Sequence, residues 1–167
     1  MERDINVYNL GFSQAKTYMF VALFVIGNIV LPQLCHLIPN GGYIFLPIYF
    51  FTLIASYKYG LKVGLLTAVL SPVINNLLFG MPATAVLSVI LIKSIFLAVS
   101  AAWIADKTKK VSFLTLLAVI LSYQFFGSII EWIMEGSLHT ALADFRLGIP
   151  GMIVQLIGGY FLIRRLN

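Results

Sequence analysis

The chain has 167 residues, of which 60% are hydrophobic and only 10% charged, with a mean hydropathy of +0.98 and a formal net charge of +5. A water-soluble domain of this length cannot hide so much apolar surface, so the composition excludes a soluble globular or disordered protein and names a bilayer as the solvent. The positive charge reads as membrane orientation and not as a nucleic-acid footprint, because the cations fall between apolar runs.

Each membrane-spanning helix needs roughly 20 apolar residues, which leaves room for about six spans and little else. The first 16 residues mix charges and contain no apolar stretch with a small-residue cleavage site, so a cleaved signal peptide is not expected. In chain order, the apolar runs predict spans over 17–37, 43–56, 63–78, 83–105, 111–133 and 149–163. Pro39-Asn40-Gly41-Gly42 separates the first two, and Tyr57-Lys58-Tyr59-Gly60-Leu61-Lys62 the second from the third. Gly80-Met81-Pro82 ends the third span, and a cationic link over 106–110 ends the fourth. The longest polar connection runs over 135–148. The expected fold is an all-α integral membrane protein: one compact six-transmembrane-helix bundle comprising residues 1–167, with both termini on one side.

Lys and Arg set the orientation. Six crossings put Arg3, Lys16, Lys58, Lys62, Lys107, Lys109, Lys110, Arg164 and Arg165 on the terminal side and only Arg146 opposite. Such asymmetry predicts cytoplasmic termini. The outer side then receives His36, the Gly-Met-Pro turn and His139.

Polar residues within spans are costly and tend to face protein or a water-filled cavity. In the third span Gly60, Gly64, Ala68 and Ser71 recur at helical spacing and lead to Asn75, with Asn76 beside it. Gln124, Gly127, Ser128 and Glu131 share one face of the fifth span, and Gly148, Gly151, Gln155 and Gly159 one face of the sixth. The small residues suit close helix packing. For Gln155 an interhelical hydrogen bond and a ligand contact are both open. Lys93 stands roughly ten residues, or about 15 Å, into the fourth span. Three readings are open for it: snorkelling to the interface, an ion pair with Glu131, or contact with an anionic or polar ligand. Glu131 also suits a wet helix end, and Trp132 beside it suits an interfacial belt.

The chain carries no Walker P-loop, no His-Glu-x-x-His, no Cys-x-x-Cys and no plausible Ser-His-Asp set, so neither ATP hydrolysis nor an enzyme is expected. The lone Cys35 reads as apolar filler. His36 and His139 are four spans apart, and no metal or cofactor is expected.

Leu46-Pro47, Tyr59-Gly60 with Gly64, Ser71-Pro72 and Gly80-Met81-Pro82 follow one another at the second and third spans. This order resembles the S component, the substrate-binding membrane subunit, of energy-coupling factor (ECF) vitamin transporters. Two features depart from that pattern. An Ala-x-x-x-Ala pair on the first span is lacking, since Ala15 is followed by Met19 and Ala22 by Ile26, and Tyr49 stands where a His is frequent. The resemblance implies high-affinity capture of a vitamin or similar micronutrient at the outer half of a prokaryotic cytoplasmic membrane. It also implies partnership with a membrane coupling subunit and two ATPase subunits, through some other small-residue face or alone. On this reading Lys93 and Glu131 contact the small-molecule substrate, Asn76 and Gln124 orient it, Tyr43 or Trp132 stacks on its ring, and Asn75 and Gln155 are further candidate contacts. The other classes that fit are a non-transporting six-span scaffold of the MreD type and a solitary small carrier.

Overall fold

The computed structural model describes residues 3–166. It is almost entirely helical: α1 (Ala15–Cys35), α2 (Gly41–Phe45), a 3₁₀ turn (Pro47–Tyr49), α3 (Phe50–Tyr59), α4 (Leu61–Phe79), α5 (Thr84–Thr108), α6 (Phe113–Glu135), α7 (Leu138–Leu147) and α8 (Ile149–Arg165). Two short strands complete it, β1 (Arg3–Asp4) and β2 (Lys110–Val111), which pair antiparallel. Among the described residues, α1, α4, α5 and α6 are long and apolar enough to cross a membrane. The pair α7–α8, bent by 45°, would make a fifth span. The predicted second span, 43–56, is instead broken. Leu46 takes a left-handed backbone (φ 47°) just before Pro47, so α2, the 3₁₀ turn and α3 follow as separate short pieces. The polar connection over 135–148 contains a helix of its own, α7.

The elements alternate between two ends of a bundle. At one end β1 pairs with β2, Tyr8 N–H donates to the Lys58 carbonyl (2.8 Å), and Asn9 Nδ2 donates to Asp106 Oδ1 (3.3 Å). Tyr160, near the end of α8, stacks on Phe113 at the start of α6, with ring centroids 4.4 Å apart. These contacts gather the N-terminal segment, the α3–α4 junction, the α5–α6 junction and the end of α8. Eight of the nine cations assigned above to the terminal side lie in or next to these elements; the ninth, Lys16, begins α1. Gly60 makes the α3–α4 reversal possible with φ 92°, a conformation that side chains with a Cβ rarely adopt. Ser112 and Thr115 close a reciprocal cap at the start of α6, with bonds of 3.1 and 3.0 Å.

The outward faces are those of a bilayer protein: Leu23, Ile26 and Val30 on α1, and Leu121 and Phe125 on α6, are exposed. Inside, the polar groups are bonded across helices. Asn28, fully buried, donates from Nδ2 to Thr52 Oγ1 (3.0 Å) and Ser71 Oγ (3.1 Å) and accepts from the Phe51 N–H (3.2 Å). Its carbonyl accepts from Asn75 Nδ2 (2.9 Å). One amide thus ties α1, α3 and α4 together where no water can compete.

Candidate functional site

At the opposite end, the elements leave a cavity of about 470 Å³. Its rim comes from Pro32 and His36 of α1, the link over 38–42, and Tyr43 of α2. The segment over 46–49 and Asn75 of α4 form one wall. Gly80, Met81 and Pro82 with Val86, Val89 and Ile90 of α5 form another. The volume falls within the ordinary range for a small-molecule pocket, and the lining is mainly apolar, as such pockets are.

Lys93 and Glu131 also line it. They form a 2.6 Å ion pair, Nζ to Oε2, between α5 and α6, with side chains only 2% and 8% exposed. Why the lysine can lie across α6 is a matter of one missing methyl. A Cβ built on Gly127 would fall 2.5 Å from Lys93 Cγ and 3.0 Å from Cε. Gly127 precedes Glu131 by about one turn, so the lysine stem crosses α6 at the glycine and delivers its ammonium to the carboxylate above. Of the three readings open for Lys93, the ion pair is the one observed, and it sits against the cavity, where ligand contact remains compatible with it.

The other predicted residues divide. Asn75 lines the cavity, buried, with Nδ2 donating to the Asn28 and Ser71 carbonyls (2.9 and 3.0 Å). Because Nδ2 takes both acceptors, Oδ1 is the remaining atom. It is buried without a hydrogen-bond partner among the described residues. Tyr43 lines the cavity and is half exposed. Asn76, Gln124, Trp132 and Gln155 do not line it. Asn76 Nδ2 donates to the Pro82 carbonyl (2.7 Å), holding the Gly80–Pro82 turn that forms part of the wall. Gln155 accepts from the Tyr123 hydroxyl (3.1 Å), the interhelical alternative. The Tyr123 ring in turn lies 5.2 Å from that of Tyr49, a cavity residue. Gln124 is buried on the α6 face that carries Gly127 and Glu131, below the pair. Trp132, 46% exposed and outside the cavity lining, has the exposure of a belt residue.

No protein family, curated protein or solved structure matches this chain. Two further parts of the site differ in how legible they are in the sequence. His36 was placed on the outer side, but its seat over Gly42 at the rim depends on a backbone so close that a Cβ there would fall 2.7 Å from Nε2. Asn28, whose carbonyl anchors Asn75, is an amide halfway along an apolar span, a position that signals a buried polar contact. Among the described residues, no group of three or more His, Cys, Asp or Glu side chains could hold a metal ion.

Proposed function

We propose that this chain is a membrane-embedded solute-binding subunit for uptake, of the ECF S-component kind. In this reading it makes six crossings, with α2, the 3₁₀ turn and α3 together forming the second. The observation that carries the reading is the position of the cavity: it lies at the end of the bundle away from the cationic cluster, with a buried ion pair on its wall. Positive residues stay cytoplasmic, so the cavity opens outward in a prokaryotic cytoplasmic membrane and takes a vitamin-like micronutrient from that side. Buried charges inside a membrane are rare and tend to mark substrate paths. On this reading, energy is supplied in trans by a membrane coupling subunit and two ATPase subunits, with which a chain lacking a nucleotide-binding loop is compatible.

The test is retention of a small molecule. Protein purified gently in native-lipid nanodiscs is denatured, and the released solutes are compared by mass spectrometry with those from Val89→Trp, which fills the cavity. The reading predicts a solute present in the wild-type sample and at least about tenfold depleted in the variant, the equivalent of about 1.4 kcal/mol of binding. Equal solute content in both samples, with both proteins folded, would favour a scaffold with no binding site.

A further inference from the structure

A second concavity lies away from the cavity, on the outward surface toward the end of the bundle that gathers the cations. It is an open groove of about 500 Å³ between α3 and α8, lined by Phe50, Gly158, Phe161, Leu162 and Arg165. We propose that it is a lipid site: one acyl chain of a phospholipid lies along the groove, with an anionic headgroup at Arg165. The inference needs only that the chain spans a bilayer, and does not depend on what the cavity holds.

Helical spacing builds the groove. Gly158, Phe161, Leu162 and Arg165 fall at i, i+3, i+4 and i+7, one face of α8. The floor is low because residue 158 has no side chain: a Cβ there would fall 3.0 Å from Phe50 Cε2 and 3.1 Å from Cζ. Phe161, 58% exposed, forms one side, edge-on to Tyr160 with ring centroids 5.6 Å apart. Phe50 forms the other, edge-on to Phe51 at 5.2 Å. The groove is therefore apolar along its length and ends at one guanidinium.

Length and charge say what fits. From Gly158 to Arg165 is about 10 Å of helix axis, against about 15 Å for one leaflet of the hydrocarbon core. Two turns further toward the cavity end the same face is closed. A Cβ on Gly151 would fall 2.5 Å from the Phe45 carbonyl, because α2 lies against α8 there. A partner's membrane-spanning helix needs a face as long as the bilayer is thick, and this one stops about halfway; a single acyl chain needs no more. Arg165 is exposed in the last turn of α8, next to Arg164. Its guanidinium has no hydrogen-bond or ion-pair partner among the described residues. A guanidinium presents a planar fork of N–H donors that matches phosphate oxygens, and basic residues at a membrane surface favour anionic headgroups over zwitterionic ones.

The test is native mass spectrometry of the full chain released from nanodiscs that hold phosphatidylglycerol and phosphatidylcholine in equal amounts, with identical acyl chains. Wild type should retain phosphatidylglycerol over phosphatidylcholine by about fivefold, the equivalent of the ~1 kcal/mol of one basic residue at an anionic surface. Arg165→Gln should bring the ratio close to one. Leu162→Trp, which fills the groove, should lower retention of both lipids. Lys107→Gln, which removes an exposed cation elsewhere at the same end, should leave the ratio unchanged. Equal retention of the two lipids by wild type overturns the site, as does a Leu162→Trp variant that keeps its lipid. If Lys107→Gln lowers the ratio as much as Arg165→Gln, the preference belongs to the whole cationic end and the inference falls. It also falls if wild type retains no lipid and Phe161→Cys, in a Cys35→Ser background, forms a disulfide-linked dimer in the membrane, which gives the groove to a second copy of the chain.

Discussion

Removing the ammonium of Lys93 without its partner is the sharpest test of how the site is built. At 2.6 Å and an effective dielectric of about 20, the gross attraction between two unit charges is about 6 kcal/mol. Part of this is offset by the cost of keeping both ions out of water. What Lys93→Met loses is the attraction, while the cost of keeping Glu131 buried remains. The expected destabilisation is therefore about 3–5 kcal/mol, the range for breaking one side of a buried pair. Lys93→Met/Glu131→Met removes both the attraction and the cost, and should fall within about 2 kcal/mol of wild type or exceed it. The assay is a double-mutant cycle on unfolding free energy, measured by steric trapping in bicelles, where the unfolded chain stays in a lipid-like medium. With Glu131→Met costing about as much as Lys93→Met, singles near the lower end of that range and a double variant near its limit give a coupling energy of about 4–5 kcal/mol. It is smaller than the gross attraction because an unfolded chain in lipid also finds partners for its polar groups. If both single variants lose less than about 1 kcal/mol, or the double variant loses the sum of the singles, the pair does not hold α5 to α6 and the account of the wall is wrong.

Gly127→Ala puts a methyl 2.5 Å from Lys93 Cγ. It should cost about 1–3 kcal/mol by overpacking, and a melting temperature equal to wild type would show that the lysine stem takes another route. Asn28→Ala strips the amide that bonds Thr52, Ser71 and the Phe51 N–H. A loss of about 1–3 kcal/mol is expected in the same unfolding assay, while solute retention should hold, because Asn75 bonds the main-chain carbonyl of residue 28, which the variant keeps. Orientation can be read from the single cysteine, Cys35, at the cavity end of α1. A membrane-impermeant maleimide on intact cells should label it, while Lys109→Cys in a Cys35→Ser background should label only after permeabilisation. The reverse pattern would place the cavity inside.

Helices α1, α4, α5, α6 and α8 were legible in the sequence because long apolar runs end at strong punctuation. Gly80-Met81-Pro82 parts α4 from α5, and the cationic link over 106–110 parts α5 from α6. The second crossing was not, because hydropathy averages over a window and passes across the break at Leu46–Pro47. The short helix α7 was hidden by its polarity: its ten residues include His139, Thr140 and Arg146 and offer no long apolar run by themselves. At the site, spacing assigned Gln124, Gly127, Ser128 and Glu131 to one face of α6 but could not name what faces them. That Lys93 meets Glu131, 38 residues away, follows from how α5 packs on α6. Asn76 and Gln155 show the same limit. Their polarity was informative, yet one secures a turn and the other a tyrosine, and nothing in either residue's own neighbourhood distinguishes those uses from ligand contact.

The distribution of unpaired polarity bears on what kind of membrane protein this is. Single buried polar atoms lack a partner on α1 (Gln33 Nε2), α4 (Asn75 Oδ1) and α8 (Gln155 Nε2) among the described residues, but at the α1–α3–α4 junction most buried polar side chains bond to one another. Along the α5–α6 seam they do not: Ser94 Oγ, Ser128 Oγ and Gln124 Nε2 are buried with no hydrogen-bond partner among the described residues, and all three lie on the helices that carry Lys93 and Glu131. A bundle whose only task were to hold other proteins would gain stability by replacing this seam with leucine and alanine, since each unsatisfied group in an apolar medium is costly. Glycine at 127 adds to the cost, because it weakens α6 for the sake of one lysine side chain. Groups kept at that expense on the two helices that carry the cavity's ion pair favour a solute-binding role over a scaffolding one. The same comparison can be made experimentally: leucine or alanine at 94, 124 and 128 should raise stability in the unfolding assay and lower solute retention. A triple variant that gained stability and kept its solute would remove the seam from the argument, leaving the Lys93–Glu131 pair to carry it alone.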